Sequence, residues 1–104
     1  DPGVREGFKE YSRRARACFE DELAGNRLGA AQACLDALVV RERSGDELAV
    51  DRRRLADRWL AFGEERLGAG EFALARRALA AARDIDPSNP RLGTFAERLR
   101  RAGG

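Results

Sequence analysis

The chain holds 104 residues, 37% of them charged and 43% apolar, with a formal net charge of +2. That is enough apolar material for a core, and no apolar run approaches the ~18–20 residues a membrane-spanning helix needs. Histidine is absent, which removes Ser–His and Cys–His nucleophile pairs and imidazole metal ligands; two cysteines alone make no metal site.

Apolar–polar alternation is missing and Val and Ile are scarce, so the chain reads as all-α, with five helices. Asp1 caps the first, Pro2 opens it, and its stripe runs Val4, Phe8, Tyr11, Ala15, Cys18, Phe19, Leu23 to a stop at Gly25-Asn26. Asn26 caps the second, whose stripe is Leu28, Ala31, Cys34, Leu35, Leu38, Val39, and Ser44-Gly45 closes it. Ser44 and Glu47 form a capping box for the third. There Leu48, Leu55, Trp59, Phe62 and Leu67 face inward, up to the break at Gly68-Ala69-Gly70. In the fourth, about Glu71 to Asp84, Ala75, Ala78 and Ala82 share a face, with Phe72, Leu79 and Ile85 beside it. Asp86-Pro87-Ser88-Asn89-Pro90 stops it, and Asn89 with Pro90 starts a fifth that carries Leu92, Phe95, Ala96 and Leu99. Turns of roughly 2–5 residues fold successive helices antiparallel, as stacked α-hairpins.

Within the 34-residue window 56–89 stand Trp59-x2-Phe62-Gly63-x2-Arg66, then Ala75-x3-Leu79, then Ala82 and Pro87. This resembles a tetratricopeptide repeat, whose pattern is W-x2-L-G-x2-Y, A-x3-F and P. Arg66 stands in place of the Tyr and Leu79 in place of the Phe. The resemblance implies a right-handed superhelix of hairpins, one domain over 1–104. It would comprise a divergent first hairpin (1–45), a repeat-type hairpin (46–89) and a C-terminal capping helix (90–104). Gly63, Ala75 and Ala82 would let helices approach closely, Trp59 and Phe62 would wedge between hairpins, and Pro87 would end a helix. A 45-residue shift relates the hairpins: Gly25 to Gly70, Ala30 to Ala75, Ala33 to Ala78, Cys34 to Leu79, Ala37 to Ala82, Cys18 to Gly63 and Arg14 to Trp59.

Cys18 and Cys34 fall on facing helices of the first hairpin. They are either a disulfide, which would suit an oxidising compartment such as a periplasm, or two small thiols in a core. Arginine clusters at 13–16, 52–58, 76–77 and 98–101 are interleaved with acids. Residues 1–52 hold 9 basic and 11 acidic side chains, residues 53–104 hold 11 and 7. Solvated helix faces account for this better than a nucleic-acid surface does. The carboxylate pairs Glu64-Glu65 and Asp84/Asp86 have no enclosing pocket, and Gly68-Ala69-Gly70 lacks the strand context of a phosphate loop, so neither an enzyme nor a cofactor is expected.

The repeat resemblance implies a groove lined by the first helix of each hairpin: Tyr11, Arg14, Asp57, Leu60, Glu64 and Leu67 in this chain. Leu60 and Glu64 stand where a carboxylate clamp would need Lys or Asn. A mixed apolar and acidic lining would favour an amphipathic or basic partner segment. The expected function is therefore a protein–protein interaction or scaffolding module. Heavy Arg, Ala, Gly and Leu use with a single lysine, Lys9, and a start at Asp1-Pro2 suggest a segment of a larger bacterial protein, such as a cell-envelope assembly factor. The alternatives are self-association as a homodimer through the terminal helices and, third, polyanion binding.

Overall fold

A computed structural model describes residues 2–41 and 46–103, with side chains described over 13–38 and 48–103. Those residues form five helices and no strand: α1 (Pro2–Ala24), α2 (Leu28–Arg41), α3 (Asp46–Gly68), α4 (Phe72–Ile85) and α5 (Leu92–Arg101). The fold is all-α, as the periodicity predicts. The expected cap at Asp1, the Ser44–Glu47 capping box and the side chains of Val4, Phe8, Tyr11 and Val39 lie outside the described residues.

One device turns both hairpins. After α1, Asn26 adopts φ 57°, its N–H donates to the Leu23 carbonyl at 3.0 Å, and the Arg27 N–H donates to that of Glu22 at 2.8 Å. After α3, Gly70 adopts φ 78°, its N–H donates to Leu67 at 3.0 Å, and the Glu71 N–H donates to Arg66 at 2.9 Å. This is a Schellman cap, which satisfies carbonyls left over at a helix end. It needs a residue that tolerates the left-handed region, which glycine and asparagine do.

The hairpins repeat at 44 residues, not 45. The starts of α1 and α3, Pro2 and Asp46, are that far apart, as are those of α2 and α4, Leu28 and Phe72. Burial agrees: Phe19, Ala31, Cys34 and Leu38 are buried, and so are Gly63, Ala75, Ala78 and Ala82. Under the 45-residue shift, exposed Ala30, Ala33 and Cys18 would stand opposite buried Ala75, Ala78 and Gly63. The correct partner of Gly63 is Phe19, that of Phe62 is Cys18, and that of Trp59 is Ala15. Matching small residue to small residue misplaces the register, because the first hairpin fills with a phenyl ring the position that the second leaves empty.

The chain divides into two compact units, Asp1–Asp51 and Arg52–Gly104, with the boundary inside α3. In the first, α1 and α2 bury Phe19, Leu23, Leu28, Ala31, Leu35 and Leu38. Buried Asp51 accepts a hydrogen bond from Arg16 Nη1 at 2.6 Å. In the second, Ala56 and Leu60 of α3, Ala75 and Ala82 of α4, and Leu92, Phe95 and Leu99 of α5 form one core. Trp59, Leu67, Phe72, Leu79 and Ile85 pack around it. α5 uses its whole apolar stripe here and turns Gly93, Thr94, Arg98, Arg100 and Arg101 to solvent, as a covering helix does.

Candidate functional site: the groove between α3 and α5

Three helices meet at Gly63. A methyl group there would come within 2.7 Å of Phe95 Cζ and 2.9 Å of Ala78 Cβ. The absent side chain thus admits the Phe95 ring from α5 and the Ala78 methyl from α4. Ala75 and Ala82 are fully buried, Leu79 packs beside them, and Pro87 lies in the exposed turn that follows α4. Trp59 meets Phe62 edge-to-face, with centroids 6.1 Å apart at 82°, and the Arg66 guanidinium lies 5.7 Å from the Phe62 centroid. Arg66 also donates to Glu71 at 2.8 Å and Glu65 at 3.0 Å, and these bonds hold its pKa above the ordinary value. Arg66 thereby sets a cation beside an aromatic ring.

Beside this packing, α3 and α5 leave two concavities. One, of about 370 Å³, is lined by Leu60, Ala61, Glu64, Pro90, Arg91, Thr94 and Phe95. The other, of about 430 Å³, is lined by Glu64, Leu67, Gly68, Arg98, Arg101 and Ala102. Glu64 borders both, and Arg98 Nη1 reaches across to it at 2.8 Å. Both side chains of that pair are about half exposed, so water and salt screen it and opening it costs ~1 kcal/mol or less.

Four of the residues expected to line a groove lie on α3, at differing depths. Glu64 and Leu67 border the concavities. Leu60 does not face outward: it is 3% exposed, at the floor, because Phe95 and Leu99 of α5 join it in the core. Asp57 accepts a hydrogen bond from Asn89 Nδ2 at 3.0 Å, with Arg91 Nη1 at 4.0 Å. Arg14 belongs to the first unit, where it borders a separate hollow of about 430 Å³ with Ala15, Cys18, Ala33, Cys34 and Ala37. The lining also departs from the expected apolar and acidic mixture, because Arg91 just before α5, and Arg98 and Arg101 on it, join it. Those arginines are evident in the sequence, but their direction depends on how α5 docks.

Asn89, expected to start the fifth helix, lies two residues before its N-cap Arg91 and links three elements. Its Oδ1 accepts the Arg91 N–H at 2.9 Å, while its Nδ2 donates to Asp57 at 3.0 Å and to Asp86 at 3.2 Å. Being 5% exposed, it ties the start of α5 to α3 and to the end of α4, and so sets one end of the groove.

Cys18 and Cys34 are joined in a disulfide across α1 and α2, with Cα atoms 5.9 Å apart. At the 44-residue register, Cys18 and Ala15 occupy the places of Phe62 and Trp59. The covalent bond stands in the hairpin that lacks the aromatic pair. Among the described residues no group of three or more His, Cys, Asp or Glu side chains could hold a metal ion, and no helix is long and apolar enough to cross a membrane. No family model matches the chain, and no curated protein or solved structure matches it.

Proposed function

We propose that the chain is a tetratricopeptide-like interaction module that takes an extended, amphipathic peptide segment of a protein partner in the α3–α5 groove. The observation that carries this is the pair of adjoining concavities joined at Glu64–Arg98. Their floor is apolar, at Leu60, Phe95 and Leu67, their walls are small at Ala61 and Gly68, and the bridging ion pair opens at little cost. The close approach at Gly63 supports the repeat reading, since a glycine admitting a ring and a methyl from two neighbouring helices is what such stacking requires. Arg91, Arg98 and Arg101 disfavour a basic segment. The Cys18–Cys34 bond fits a protein that works in an oxidising compartment. Homodimerisation through α5 is the weaker reading, because that helix has spent its apolar stripe on its own core.

The test is selection of displayed random peptides on the intact chain, followed by affinity measurement on Ala61→Arg and, as a control in the first unit, Ala30→Arg. Ala61 is exposed on the wall, so the first substitution blocks the groove without entering the core. Selected peptides lose affinity for Ala61→Arg about tenfold or more and keep it for Ala30→Arg. Equal affinity for all three proteins refutes the groove.

A further inference from the structure

The outer face of α4 carries three exposed arginines, Arg76, Arg77 and Arg83. The second unit holds 12 basic and 7 acidic side chains against 8 and 11 in the first. Arg53, Arg66, Arg91, Arg98, Arg100 and Arg101 each meet a carboxylate. The exposed arginines of α4, Arg76, Arg77 and Arg83, meet none among the described residues, nor do Arg52 and Arg58 of α3; only on α4 do three of them gather, on one helix turn and the second turn after it. Residues three and four positions away on that helix carry no acid that could pair with Arg76 or Arg77. Nor does the hairpin need arginine there: the positions 44 residues earlier are Gln32, Ala33 and Val39.

We propose that the outer face of α4 is a second interaction surface, which docks an acidic helix of a protein partner. Arg76 and Arg83 are seven residues apart, two turns and about 10.5 Å along the axis. Carboxylates seven residues apart on a partner helix laid along α4 match them, with Arg77 beside Arg76. Exposed Ala73 and Ala80 share this side of the helix and leave room for close approach. Guanidinium groups hold carboxylates bidentately, which fixes the register of such a pair. Three cations make a short track for a nucleic acid, where ~6–10 phosphate contacts are usual for salt-sensitive tight binding. This surface is independent of the α3–α5 groove and does not require it.

The probe is a labelled synthetic helical peptide with glutamates at seven-residue spacing, titrated against the intact chain by fluorescence anisotropy at low and physiological salt. The expected result is saturable binding that weakens with salt. It drops about tenfold or more in both Arg76→Gln/Arg77→Gln/Arg83→Gln and the triple Glu exchange, and is unchanged in Ala61→Arg. Circular dichroism checks that each variant keeps its helices. Absence of binding, equal binding to the triple variants, or loss in Ala61→Arg overturns the proposal. Tighter binding of a duplex oligonucleotide than of the peptide does so as well, and assigns the face to nucleic acid.

Discussion

At the scale of single residues, two positions decide how the second unit closes. Gly63 is the first. Alanine would gain about 1 kcal/mol of helix propensity over glycine, but its methyl would meet Phe95 Cζ at 2.7 Å and Ala78 Cβ at 2.9 Å. The ring can tilt; the Ala78 methyl is fixed to a helix backbone. Overpacking should therefore win, and Gly63→Val, with more bulk and poorer propensity, should cost ~1–3 kcal/mol in urea unfolding. The second is Asn89, which serves three partners from a buried site. Asn89→Ala leaves those groups to find water and should destabilise by ~1–3 kcal/mol. Asn89→Asp should cost more at neutral pH, because it sets a third carboxylate between Asp57 and Asp86. Thermal melts of both variants at neutral pH check the order.

At the scale of elements, the two hairpins solve one problem in different ways. Each pairs a 23-residue helix with a 14-residue helix through the same cap. The second hairpin leaves Gly63 bare and borrows Phe95 from α5, whereas the first fills the same place with Phe19. The second carries Trp59 and Phe62 on its flank; the first carries Ala15 and a disulfide. In the loop-entropy account, a bond spanning 16 residues stabilises by ~3 kcal/mol through the unfolded chain. A thiol count on unreduced protein should find no free cysteine. Cys18→Ser/Cys34→Ser should lose about that much stability, seen as earlier melting of the first hairpin. Free thiols in the unreduced protein would contradict this account of the first hairpin.

At the scale of the whole molecule, what could be read from the sequence divides by physical range. Helix number and breaks are local matters of capping, glycine, proline and apolar spacing, so Gly25-Asn26, Gly68-Ala69-Gly70 and Asp86–Pro90 mark the turns correctly. Hairpin register is not local. Alanines 30, 31 and 33 look alike, and only packing distinguishes buried Ala31 from its exposed neighbours. The nearness of the cysteines was legible even so, because either register sets Cys18 and Cys34 across one hairpin contact, but the choice between a disulfide and two core thiols was not. The groove was legible in part: α3 carries Glu64 and Leu67 at its edge as expected, but Leu60 drops to the floor once α5 covers it. No helical pattern within α3 could reveal that, nor that α5 and the residue before it would bring three arginines to the opposite wall. The central claim concerns that wall. Amide chemical shifts of the intact protein, followed while a selected groove peptide is titrated in, test it most directly. The account predicts that the largest changes fall on Ala61, Glu64, Gly68, Thr94 and Arg98, with α1 and α2 undisturbed. Changes centred on α1 and α2, with those five amides unmoved, would contradict it.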